Sequence, residues 1–99
     1  MTIFVSRHPG ARDWVSGEGL RVDRFVAQLD PAEVAPGDVV MGTLPVHLAA
    51  AVCRCGARYF HLSLELPLQR RGRELTAEIM RACGARLEEY RIERCTADG

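Results

Sequence analysis

Two short segments of this 99-residue chain combine residue types that bind anions. Residues 6–10 have the sequence SRHPG, and residues 42–45 have the sequence GTLP. Hydroxyls, guanidinium groups and imidazoles donate hydrogen bonds to phosphate oxygens, and an imidazole also titrates near neutral pH. The two segments therefore predict a phosphate-binding site that contains a group able to transfer a proton.

Each segment is predicted to leave a strand and enter a helix. A helix N-terminus presents free backbone N–H groups and the positive end of the helix dipole, so both junctions suit an anion. We predict that the catalytic residues are Ser6, Arg7 and His8. The predicted ligand-binding residues at the two junctions are Gly10, Gly42, Thr43, Leu44 and Pro45. Among these, Gly42 would allow a ligand to approach the backbone closely.

A third basic feature is the run at residues 70–73, on a predicted loop. It contains three further predicted ligand-binding residues, Arg70, Arg71 and Arg73. Folded over the strand ends, this loop would add phosphate contacts to the same site. Plainer interpretations stay open for all three features. Ser6 and Thr43 can serve as helix caps, and the arginines and His8 can be solvated surface.

Other kinds of site have little support in the sequence. No cluster has the spacing of a metal site, and no dinucleotide or Walker fingerprint is present, so we predict neither metal nor cofactor. The four cysteines follow no recognisable signal peptide, which favours reduced thiols in the cytoplasm. Cys53 and Cys55 are expected to be packed thiols, with a thiol-dependent activity as an alternative. No apolar stretch is long enough to span a bilayer.

The charge composition limits the class of partner. All 13 basic residues are arginine and are balanced by 13 acidic residues, so the net charge is zero. This balance excludes binding of long nucleic acid by bulk charge, and the lack of lysine excludes mechanisms that need a lysine. A hydrophobic content of 47% and a charged content of 26% are typical of a globular domain, which we assign to residues 1–99.

The order of predicted elements is typical of an α/β fold, with a mostly parallel sheet of about four strands flanked by helices. Strands are predicted at residues 2–6, 22–29, 39–42 and 58–64, and helices at 9–17, at 43–55 and from Thr76 onwards. The last helix is predicted to be the longest, because its apolar residues follow helical steps at Ile79, Cys83, Leu87 and Tyr90. His47 and His61 are expected to pack or to form hydrogen bonds.

Several motifs together carry a family resemblance over nearly the whole chain. They lie at residues 5–11, 22–23, 29–30, 36–38, 42–46, 48–50, 61–64 and 71–75. In this combination the chain resembles a family of roughly hundred-residue CRISPR-associated proteins found beside type III systems. The resemblance implies a small Rossmann-like domain related to CARF domains, working as a homodimer.

The same resemblance implies a ring nuclease, an enzyme that cleaves the cyclic tetra-adenylate second messenger and thereby switches off ancillary effectors. We expect the ligand to lie at the two-fold interface and the ribose 2′-hydroxyl to attack the adjacent phosphorus without a metal. Two alternatives remain open from the sequence. One is a CARF-like sensor or sponge that binds the ring without cleaving it, and the other is a purely structural interaction protein.

Overall fold

The computed structural model describes residues 1–67 and 75–95. Its strands are β1 (Thr2–Val5), β2 (Arg24–Val26), β3 (Val39–Gly42), β4 (Arg58–Ser63) and β5 (Arg86–Tyr90). Its helices are α1 (Pro9–Gly17), α2 (Val46–Arg54) and α3 (Ala77–Ala82), with a 3-10 turn at Pro31–Glu33. The predicted α/β class is confirmed. Within the described ranges, no helix has the length and apolar character needed to cross a membrane.

The five strands form one sheet in the order β2-β1-β3-β4-β5. The first four are parallel to their neighbours, and β5 pairs antiparallel with β4. Short, β-branched or aromatic runs build β1 and β3, whose residues are mostly buried because helices cover both faces. The four predicted strands therefore exist and are mostly parallel, as in a small Rossmann-like domain.

Alternate residues of β1 divide the core between the two faces of the sheet. Phe4 packs with Trp14 of α1 and Met80 of α3 on one face. Its neighbours Ile3 and Val5 pack with the α2 side on the other. Successive strand side chains point to opposite faces, so helices α1 and α3 cover one side and α2 covers the other.

The prediction of a long C-terminal helix is correct at its start and wrong for its second half. Thr76 caps α3 as expected, because its Oγ1 accepts the backbone N–H of Ile79 at 3.1 Å. The helix ends at Ala82, and Gly84 then adopts a φ of +73°, a left-handed conformation that glycine tolerates best. Leu87 matched the helical spacing by coincidence; it lies opposite Leu62 in the β4–β5 ladder. The sheet has five strands rather than four for this reason.

Strand β2 is shorter than the predicted residues 22–29. It ends at Val26, and Asp30 then starts the 3-10 turn by accepting the Ala32 backbone N–H at 3.0 Å. Residues 27–29 consequently leave the ladder at the carboxyl end of β2. Helix α2 packs against the 3-10 turn that follows this segment.

Candidate functional site

A cavity of about 650 Å³ opens at the carboxyl ends of the parallel strands. The helix after β1 lies on one face of the sheet and the helix after β3 lies on the other, so the two connections diverge and leave a crevice between them. Ligands of open α/β sheets bind at such switch points. The cavity therefore lies where the two sequence segments predicted a site.

Six of the predicted site residues line this cavity, namely Ser6, Arg7, His8, Thr43, Leu44 and Pro45. Gly10 and Gly42 are not among its lining residues. The predicted contacts from Arg70, Arg71 and Arg73 lie outside the described residues. The structure thus brings the two junctions together, while the catalytic and binding roles themselves stay predictions.

The segment after β1 is held by two hydrogen bonds. The backbone N–H of Ser6 donates to the carbonyl of Val26 at 2.9 Å, and the Ser6 Oγ accepts the backbone N–H of His8 at 3.0 Å. His8 is the N-cap residue of α1, and its side chain makes no capping bond. Ser6 therefore stabilises the turn before the helix rather than capping it. Arg7, at the centre of this turn, is exposed.

The segment after β3 is also fixed by its neighbours. Thr43 Oγ1 donates to the carbonyl of Leu62 at 3.4 Å, whereas Pro45 is the N-cap residue of α2. The alternative of Thr43 as a helix cap is therefore wrong, and the helix starts at Val46 rather than at residue 43. The backbone N–H groups of Val46 and His47 belong to the first turn, which has no acceptor within the helix.

A buried tyrosine that sequence reasoning missed positions this second segment. Tyr59 is 1% exposed, and its hydroxyl accepts the backbone N–H of Leu44 at 3.1 Å and donates to the carbonyl of Gly42 at 3.2 Å. Burial raises the pKa of the Tyr59 hydroxyl, so it stays protonated near neutral pH. The hydroxyl thus holds the peptide groups on both sides of Thr43.

His61 completes this network. Its Nδ1 lies 2.6 Å from the Tyr59 hydroxyl oxygen, which confirms the expectation that His61 forms a hydrogen bond. A tyrosine hydroxyl has one proton, so it can donate either to the carbonyl of Gly42 or to Nδ1 of His61. All three bonds are satisfied together when Nδ1 of His61 carries a proton and donates it. His47 is exposed, so the prediction that it packs in the interior is wrong.

The wall of the cavity is largely apolar. Its apolar residues come from the strand ends and from both flanking helices, and are Val5, Ala11, Ala27, Leu29, Leu44, Leu48, Leu62, Leu64 and Leu75. Besides the predicted polar residues, Gln28 also lines it. The sequence signals lay at the two junctions, so they did not indicate Gln28 or the leucines other than Leu44.

Arg7 is the permanent charge of the cavity wall. Among the described residues that line the cavity, His8 supplies an imidazole and no carboxylate is present. Over the described ranges, no group of three or more histidine, cysteine or acidic residues is placed to hold a metal ion. The arrangement suits an anion attached to an apolar body.

Residues 3–93 match the model of the family described as "Putative CRISPR-associated protein (Cas_VVA1548)". The chain belongs to this CRISPR-associated family. All the cavity-lining residues fall inside the matched segment of this CRISPR-associated protein. A search of curated proteins and a search of solved structures found no match.

The cysteines of the CRISPR-associated protein range from buried (Cys83) to exposed (Cys95). All four are free thiols, and Cys53 and Cys55 do not line the large cavity. Cys53 Sγ accepts the backbone N–H of Ile92 at 3.4 Å, which ties the segment after β5 to α2. This placement agrees with packed thiols and gives no support to a thiol-dependent activity.

Replacing Tyr59 with phenylalanine is expected to lower the free energy of unfolding by about 1–3 kcal/mol, because the buried N–H of Leu44 and carbonyl of Gly42 would lose a partner. The ring itself stays, so no large cavity forms. Urea denaturation measures this difference.

Tyr90→Phe provides the matched control, because it removes a hydroxyl from a side chain that is 47% exposed. It is expected to change the free energy of unfolding by less than about 0.5 kcal/mol. Equal stabilities for the two variants would contradict the role assigned to the Tyr59 hydroxyl.

Proposed function

We propose that this CRISPR-associated protein is a ring nuclease that cleaves cyclic tetra-adenylate. The observation that carries the proposal is the convergence of Ser6, Arg7, His8 and Thr43 on one cavity at the β1/β3 crevice. An arginine, an imidazole and two hydroxyls suit a phosphodiester, and no carboxylate competes with them among the described residues of the cavity wall. The family resemblance of the sequence supplies the identity of the ring.

The proposed reaction is an internal transesterification. The ribose 2′-oxygen forms a bond to the adjacent phosphorus, the bond from phosphorus to the 5′-oxygen breaks, and a 2′,3′-cyclic phosphate remains. The 2′-hydroxyl loses a proton and the departing 5′-oxygen gains one, so the reaction needs no other co-reactant. Because the nucleophile belongs to the substrate, the protein contributes orientation and charge stabilisation.

Charge stabilisation, proton transfer and substrate orientation are assigned to different cavity residues. Arg7 would neutralise the negative charge that develops on the phosphate oxygens. His8 would accept or donate the transferred proton, because one nitrogen of a neutral imidazole accepts a proton and the other donates one. Ser6 already uses an oxygen lone pair to hold the His8 backbone, which leaves its hydroxyl proton free for the ribose or the phosphate.

A homodimer fits the symmetry of the substrate. A ring of four identical nucleotides has a two-fold axis, and two facing subunits would present the same cavity residues to opposite sides of it. The side chain of Val46, beside Pro45, is 69% exposed and is an apolar group that such an interface would cover. The loop with Arg70, Arg71 and Arg73 remains a predicted second source of phosphate contacts.

The decisive experiment incubates the purified protein with cyclic tetra-adenylate in the presence of EDTA. We expect linear products that carry a 2′,3′-cyclic phosphate, identified by mass spectrometry, and more than one turnover per subunit. Tight binding with an intact ring would instead support the alternative of a sensor or sponge. Absence of both binding and cleavage would overturn the proposal and favour a structural interaction protein.

His8→Ala is expected to slow single-turnover cleavage by about 100-fold, because general acid–base catalysis typically contributes 10²–10⁴-fold. Binding of the ring should be nearly unchanged, since the permanent charge of Arg7 remains. His47→Ala is the matched control, because His47 is an exposed histidine that does not line the cavity. Unchanged turnover in His8→Ala would remove His8 from the mechanism.

A further inference from the structure

The cavity wall on the α2 side is apolar although the cavity also holds the anion-binding groups. This α2-side wall consists of Val5, Leu29, Leu44 and Leu48. Leu29 and Leu48 are only partly buried, so they present apolar surface to the cavity. Covering apolar surface is favourable, at about 25 cal/mol per Å², only when the ligand brings apolar surface of its own. A phosphate alone would leave this wall exposed to water.

Gln28 lies beside this wall. It precedes Leu29 in the segment that leaves β2. Strand β2 is the neighbour of β1, and Arg7 lies in the segment that leaves β1. The Gln28 side chain is exposed and lines the cavity. Within residues 1–67 and 75–95 it makes no hydrogen bond, so its amide is available to a ligand.

The amide of Gln28 differs chemically from the other polar groups of the cavity. It holds a donor and an acceptor side by side in one plane, whereas the guanidinium of Arg7 can only donate. The edge of adenine presents an amino donor beside a ring-nitrogen acceptor, which is the complement of a glutamine amide. On the edge that contains N7, adenine presents this pair, whereas guanine or hypoxanthine presents two acceptors, O6 and N7, which an arginine matches better.

We infer that the α2-side wall is a purine-base subsite and that Gln28 selects adenine by pairing with the edge of the base. This inference rests on the proposed function, because it places the base of the same nucleotide whose phosphate meets Arg7. It adds a specificity-determining residue that neither junction motif contains.

The test compares binding of two rings by calorimetry, cyclic tetra-adenylate and cyclic tetra-inosinate. On the edge formed by N7 and the group at C6, they differ at each base in one group, an amino donor replaced by a carbonyl acceptor. The wild-type protein is expected to prefer the adenine ring by about 5- to 150-fold, the discrimination typical of one bidentate contact. Gln28→Leu, which has similar size and no amide, is expected to bring this preference close to one. Gln28→Asn keeps the amide and should retain part of it.

The outcomes separate the inference from the proposed function. If the wild-type protein shows the expected preference, Gln28→Leu loses it and neither ring is cleaved, the base subsite stands and the nuclease activity fails. If the protein cleaves cyclic tetra-adenylate and Gln28→Leu retains the full preference, the subsite is overturned and the nuclease stands. Gln28→Leu should melt within about 2 °C of the wild type, because the side chain is exposed. Loss of binding to both rings in a folded Gln28→Leu would also overturn the selective role.

Discussion

Replacing Gly10 with alanine is expected to destabilise the protein by about 3 kcal/mol, because the added methyl group has no space. A Cβ at this position would overlap the backbone carbonyl oxygen of Leu75 and would lie 2.7 Å from its carbonyl carbon. The obstacle is backbone, so no side-chain rotation relieves it. For a domain of this size, the melting temperature should fall by about 10–20 °C.

Trp14 provides the signal for this measurement. It is the single tryptophan of the chain and is 2% exposed, in the core beneath α1. Its fluorescence should report the cooperative loss of packing during urea or thermal unfolding.

Gly17→Ala is the matched control, because it makes the same substitution in the same helix. A Cβ at Gly17 would meet only the end of the Arg81 side chain, at 3.4 Å, and that flexible group can move. Since alanine favours a helix over glycine by about 1 kcal/mol, this variant should be as stable as the wild type or slightly more stable. Similar melting temperatures for the two variants would contradict the close contact between α1 and Leu75.

The two glycines in the predicted ligand set have packing reasons that the sequence did not reveal. Gly10 allows α1 to approach Leu75, which itself lines the cavity. Gly42 has a φ of +144°, and a Cβ there would overlap the carbonyl oxygen of Val5 in the neighbouring strand. In both cases the close approach is made by the protein backbone. A ligand is not needed to explain either glycine.

The first four strands could be predicted because their signals are local. Apolar runs such as β3 end at glycine and proline, and these residues mark the junctions with the helices. Strand β5 could not be predicted in this way. Its five residues are mostly charged, and their strand conformation depends on the ladder with β4, which is a tertiary contact.

The candidate site shows the same division between local and tertiary information. Ser6, Arg7 and His8 are neighbours in sequence, so their association could be predicted before any fold was known. Tyr59 lies on β4 and Gln28 follows β2, and both reach the site only through the order of the sheet. The two junction segments were therefore visible in the sequence, whereas Gln28 and most of the apolar wall were not.

Arg7→Ala is expected to lower kcat/KM for cyclic tetra-adenylate by about 10⁴-fold and to weaken binding as well. Loss of one group that stabilises transition-state charge typically costs 10²–10³-fold in kcat. The ground-state complex also loses a charged hydrogen bond to the phosphate, which weakens the binding free energy by about 1.5–3 kcal/mol. Both losses apply because, among the described residues, Arg7 is the permanent charge on the cavity wall.

The fold should tolerate this change, since Arg7 is exposed and within residues 1–67 and 75–95 it forms no ion pair. Arg21→Ala is the matched control, because it removes the same charge from an exposed position that does not line the cavity. Single-turnover rates and ring affinities of the two variants, measured at one salt concentration, separate a local effect from the change in net charge. Equal losses in both variants would mean that Arg7 acts only through the overall charge. A full loss confined to Arg7→Ala, with an unchanged melting temperature, would support its position against the scissile phosphate.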